Sequence, residues 1–223
     1  MNEQKGWYQR GWDNLDDFKR EYSNQPRRLW MPKESSKKVI FLDDNPFRFY
    51  EHQLYLNGSW QNWFTCLKQG ETSRECPLCK MDDNPYYVGM YTIVDMSEYF
   101  DKKGNQHKNE LRIFAAKIDT MKLLKLKKER MGSLVGCKFE ISRVGEKSPS
   151  VGNNFEYVEK LTMEQVDELV NKDRGAQKLE VKPFAYEEIF APPSEESLLT
   201  VVRRIKERKT DSVRDEETGQ PEY

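Results

Sequence analysis

Along the first 160 residues, apolar and polar positions fall into short strand-like runs separated by turn signals. KKVIFLD (37–43) is rich in β-branched and aromatic residues and is closed by DDNP. FRFYEHQLYL (47–56) alternates and stops at Asn57-Gly58, a tight-turn pair. YVGMYTIVDM (87–96) and ELRIFAAK (110–117) follow, joined by the turn-rich DKKGNQHKN. In DTMKLLKLKKERMG the period changes: Met121, Leu124 and Lys128 fall near one face, as do Leu123 and Leu126. That predicts a helix over 119–132, with Asp119 as N-cap and Gly132 as C-cap. Strands return in GCKFEISRVG (136–145) and NNFEYVEK (153–160).

Upstream, WDNLDDFKREY (12–22) predicts a short amphipathic helix ended by Pro26, and RRLWMPKESS reads as a linker. Downstream the pattern is helical. Thr162 and Gln165 have capping-box spacing, PFAYEEIFAPP is a short helix or loop between prolines, and Leu198, Val202 and Ile205 share one face of 194–209. DSVRDEETGQPEY has no apolar stripe and is expected to be disordered. Four strands, a helix and two more strands suit a mainly β fold. The expectation is a five-stranded barrel of the oligonucleotide-binding (OB) kind, with one strand to spare. The chain then divides into an N-terminal helix and linker (1–36), a barrel domain (37–160) with an insert at 52–80, a helical segment (161–210) and an acidic tail (211–223).

Composition adds limits. Only 36% of residues are hydrophobic against 34% charged, so the core is expected to be modest. The chain nevertheless holds 5 Trp, 11 Tyr and 11 Phe, more rings than such a core needs. No run is apolar enough to span a membrane and the N-terminus has no signal-peptide core, which predicts a cytoplasmic protein. Residues 37–160 carry 20 basic and 17 acidic side chains, and residues 161–223 carry 10 and 15. A mildly basic body before an acidic end suits a nucleic-acid binder, although a balance this slight is also ordinary surface charge.

Three of four cysteines and one of two histidines lie in one short window, as His52-x13-Cys66-x9-Cys76-x2-Cys79. Thiolates two residues apart on a C-P-L-C turn can grip one ion, and Cys3His closes a tetrahedral Zn2+ site with no open position. Such a site is structural, not catalytic. A redox C-x-x-C pair is the competing reading, without its usual βαβ context. Cys66 as a core thiol and His52 as a surface residue is another. Cys137 is expected to be a core thiol.

The run KVIFLDDNPFRFYEH…NGSWQNWFTC…CPLC resembles the zinc-containing single-stranded-DNA-binding proteins of T-even phages and their relatives in other tailed phages. The match is strongest over 37–80. The KKGN hairpin and SRVGEKSPSVGNNFEY are similar to shorter relatives. The resemblance implies an OB barrel, zinc held by His52, Cys66, Cys76 and Cys79, and sequence-tolerant binding of single-stranded DNA in replication and recombination. It also implies a place in the host cytoplasm, self-association along DNA, and recruitment of replication proteins through the C-terminal region. Two features depart from the family. The nearest basic N-terminal segment, FKREYS (18–23), is diluted by Glu21, and the acidic end is short.

Binding a single strand without reading sequence needs cations for phosphates and ring faces for bases. The candidates are Arg48, Tyr50, Tyr55, Trp60, Trp63, Tyr91, Arg112, Phe114, Lys117, Lys122, Arg143 and Lys147. In 47–56, Arg48, Tyr50, His52 and Leu54 share one face and Phe47, Phe49, Glu51, Gln53 and Tyr55 the other. Alternation does not say which is core. In 110–117, Leu111, Ile113 and Ala115 are expected inside, leaving Arg112 and Phe114 to point outward. For any single ring, core packing and stacking are both open at this point. No nucleotide-binding loop, nucleophile elbow or paired carboxylates are present, so no enzyme is expected. The alternative is a zinc-stapled adaptor that docks replication or transcription partners.

Overall fold

The computed structural model describes residues 26–56, 59–69, 75–100, 104–175 and 177–217. The strands are β1 (Ser35–Phe41), β2 (Phe47–Leu56), β3 (Ser59–Thr65), β4 (Tyr86–Asp95), β5 (Tyr99–Phe100), β6 (Gln106–His107), β7 (Glu110–Lys117), β8 (Cys137–Arg143) and β9 (Asn154–Lys160). The helices are α1 (Ile118–Met131), α2 (Met163–Asn171), α3 (Tyr186–Ile189) and α4 (Glu195–Glu217). No helix is long and apolar enough to cross a membrane. The expected helix at 12–22 lies outside the described residues.

All six predicted strand runs form. With β3 they make one antiparallel sheet of seven strands in the order β3-β2-β4-β1-β8-β9, with β7 also on β4. The sheet is mainly β as expected, and its ladder is not closed. Strand β4 is the hub: β7 runs along one edge, while β2 takes the first half of the other and β1 the second. From Val88 to Asp95 every residue of β4 is buried, because both sheet faces are covered. On one face Val39, Phe41, Tyr91, Ile93, Phe114, Phe139 and Phe155 pack under Leu124 of α1 and Leu134. On the other, α2 puts Val166 and Val170 against Ile40, Leu42 and Val94. Farther along that face, Phe184, Tyr186 and Phe190 cover Phe47, Phe49, Val88 and Ile113.

Gly89, in the middle of β4, permits the approach of α1 to the sheet. A Cβ there would lie 2.3 Å from Met121 Sδ and 2.8 Å from Pro46 Cβ. Helix α1 starts one residue earlier than its expected cap, with Lys117 in extended conformation, and ends at Gly132 with φ +76°. The Thr162–Gln165 capping box forms as predicted.

Two expectations are corrected. Residues 26–34 are stitched to the body and are not a free linker. Leu29 N–H donates to the Ile113 carbonyl, Met31 N–H to Ser150, and Glu34 N–H to Arg143. Helix α4 runs on to Glu217, through most of the segment expected to be disordered. Once a docked turn has nucleated a helix, each further residue adds a hydrogen bond, and no apolar stripe is needed.

Candidate metal centre and basic groove

The hairpin β2–β3 pairs His52 with Phe64 and Glu51 with Thr65, which brings Cys66 back beside His52. Cys76 and Cys79 follow on a tight turn that ends in a single 3-10 turn, Cys79–Met81. The four ligand atoms all lie within 4.8 Å of one another. His52 Nε2 is 3.5 Å from Cys76 Sγ and 3.6 Å from Cys79 Sγ, and Cys66 Sγ is 3.6 Å from Cys79 Sγ. Tetrahedral zinc, with bonds of about 2.3 Å to sulfur and about 2.0 Å to nitrogen, separates sulfurs by about 3.8 Å and sulfur from nitrogen by about 3.5 Å. The donor set therefore fits one small tetrahedral ion, and these residues can bind a metal.

Burial and mutual proximity act on the three thiols. Burial pushes the Cys66 thiol up to about 12 and also raises Cys79. Burial pushes Cys76 the same way, but N–H groups of Cys79, Leu67 and Leu78 outweigh it and leave that thiol lowered. Three thiolates this close need a positive charge among them. Asp83, which sequence reasoning missed, completes the arrangement: its Oδ2 is 2.6 Å from His52 Nδ1. It reaches there because Asp82 takes a left-handed φ of 61° immediately after the 3-10 turn. A carboxylate on Nδ1 fixes the ring with Nε2 toward the sulfurs, the usual outer partner of a histidine that ligates a metal. Cys137 is a buried core thiol, as expected.

The candidate single-strand contacts do not form one surface. Arg48 and Lys122 line a groove of about 830 Å³ between α1, the 44–46 turn and the start of β4. Lys125, Lys128 and Tyr87 line it too, with Ile118 and Met121 as apolar floor. Exposed Tyr50 extends it, its ring 4.9 Å from Tyr87. Lys122 and Lys125 face acidic neighbours only at 3.8 Å on the open surface, where such pairs hold charges weakly. Asp44 also lines the groove. Burial opposes its charge, but bonds from Ser133 and Leu134, with Lys128 nearby, hold its carboxyl below the usual range.

Tyr55 and Trp60 form a second exposed ring pair, 5.3 Å apart at the hairpin end of β2–β3. Trp63 is half-buried under the guanidinium of Arg28, 4.1 Å from its ring centre. Arg28 in turn grips buried Glu51 with two bonds of 2.7 and 2.6 Å, and Tyr86 donates to the same carboxylate. Lys117 is exposed, 5.1 Å from the Tyr86 ring, and Lys147 is exposed on its loop.

Four candidates belong to the body instead. Tyr91 and Phe114, opposite each other in the β4–β7 register, are 2% and 0% exposed; Tyr91 lines the inner wall of the groove, but neither ring presents an open face to a base. Arg112 turns to buried Asp95, 3.1 Å away, which also holds Lys37. Arg143 donates to the Met31 carbonyl and to Ser148, fastening the N-terminal segment. The alternation reading failed on β7 because α1 and its neighbours cover the face it left to solvent.

No protein-family model matches this chain, and no curated protein matches it in sequence.

Proposed function

We propose that this protein binds single-stranded DNA without reading its sequence and performs no chemistry of its own. The groove carries the reading. Arg48, Lys122, Lys125 and Lys128 supply phosphate partners, while Tyr87 and Tyr50 offer ring faces beside them. Each base stacked on such a ring contributes about 1–3 kcal/mol whatever its identity. The chain order β1, β4, β7, α1, β8, β9 supports an OB-like barrel, with β2, β3 and the ligand turns as an insert after its first strand.

For the ion we propose structural Zn2+. Three thiolates and an imidazole are its preferred donors, and four protein ligands leave no position for a reacting water. The sequence resemblance assigns such a protein to phage replication and recombination in the host cytoplasm. The adaptor alternative loses its best docking surface, since Leu198 and Val202 of α4 are already buried within the chain.

Titration with oligothymidine at low salt tests the proposal. Quenched intrinsic fluorescence is expected, with weaker binding by Arg48→Ala and Tyr87→Ala. Absence of both quenching and retention on single-stranded-DNA resin would overturn it.

A further inference from the structure

Helix α4 sits at the β2–β3 edge of the sheet and on the turns that follow it, apart from the clusters that cover the body. Its inward residues are Leu198, fully buried, and Val202, nearly so, with Val201 and Ile205 half-buried beside them. They pack on Leu54, Leu56, Phe64, Leu67, Leu78 and Met81, in one cluster with the ligand cysteines themselves. The placing of those six in the chain is telling. Leu54 lies two residues past His52, Phe64 and Leu67 flank Cys66, Leu78 sits between Cys76 and Cys79, and Met81 is two past Cys79. Only Leu56 stands farther from a ligand. The shape of the seat is therefore set by how the four ligands close.

The start of the helix has ties of its own. Ser194 Oγ caps it by accepting from Ser197 N–H, and the preceding Ala191 and Pro192 are exposed. Glu195 at its start lies near Lys80, which is held more closely by Glu75. Among the described residues, none from α4 belongs to the clusters that cover the sheet body. The groove, by contrast, stands on α1, β2, β4 and the 44–46 turn.

We infer that the metal centre builds the docking site for the C-terminal helix: ligand closure around the ion forms the apolar seat, and the seat holds α4. This rests on the metal reading above and not on the nucleic-acid reading. Metal loss frees α4 and leaves the groove standing. Because coupling is reciprocal, loosening the helix weakens the metal.

Hydrogen exchange of the full chain, with Zn2+ bound stoichiometrically and after chelation, tests the first half. Amides of 198–205 are expected to lose protection together with those of 76–81, while β4 and β7 keep theirs. Competition with a chromophoric chelator for Co2+ tests the second half. Val202 is not one of the four ligands, yet Val202→Asp should weaken Co2+ binding by about tenfold or more with an unchanged thiolate charge-transfer band. Val202→Ala should shift it the same way by less, and remains readable if the Asp variant does not fold. Unchanged α4 protection on chelation, or unchanged Co2+ affinity in both variants, overturns the inference. A chain that takes up neither ion overturns the metal reading as well, and measured metal content tells the two failures apart.

Discussion

Inside the sheet, Phe41, Tyr91, Phe114, Phe139 and Phe155 meet mostly edge to face, with ring centres 5.4–6.4 Å apart. Around His52 the buried side chains are leucines, one valine, two thiols and an imidazole, with Phe64 only partly enclosed. The sheet body can hold itself together by apolar burial on both faces. The ligand ribbon holds a smaller apolar cluster, and on the metal reading an ion and α4 supply the rest of its stability. On that reading a weakly hydrophobic chain stabilises two regions by two different means, and each can be removed separately.

The sharpest separation is expected from Cys76→Ser. Structural zinc contributes on the order of 10 kcal/mol where folding depends on it. Losing a ligand should unfold 59–81 while β4 and β7 stay protected, as read by hydrogen exchange. Phe114→Ala should do the reverse. It should cost the body about 3–5 kcal/mol in chemical denaturation, with stoichiometric metal retained below the transition.

Arg28→Ala attacks the join between the regions. It leaves Glu51, 1% exposed, with Tyr86 as its remaining hydrogen-bond partner. The expected cost is about 3–5 kcal/mol. Glu51→Gln added to it should recover part of that loss, and a double-mutant cycle measures how much. Asp83→Asn is the mildest. The amide still reaches Nδ1 but no longer offers a carboxylate, so metal affinity should fall about 10–100-fold. The body's denaturation midpoint should not move.

Much of this arrangement was readable in the chain. The four ligands stood out because two scarce residue types shared one window. The stripe Leu198, Val202 and Ile205 marked the inner face of α4 before any partner was known. What could not be read was which sheet face each alternating strand presents to solvent. Period two gives parity alone, and both faces of β7 are covered here, so Phe114 went inside. Tyr87 was missed because its value depends on standing opposite Tyr50, a register set by the fold. Asp83 and Arg28 were missed for a related reason. One depends on a left-handed residue after a turn, the other on a segment assumed to be a tether. Strand β3 (SWQNWFT) does not alternate between polar and apolar residues, so the pattern does not mark it.

The central claim is that the groove between α1 and the β2–β4 ladder grips phosphates. Its most direct test is the salt dependence of oligothymidine affinity for the native chain and for Lys122→Ala/Lys125→Ala. Four groove cations predict a log–log slope of about −3 on a single strand, falling to about −1.5 in the double variant. Salt-insensitive binding, or the same slope in both proteins, would contradict it.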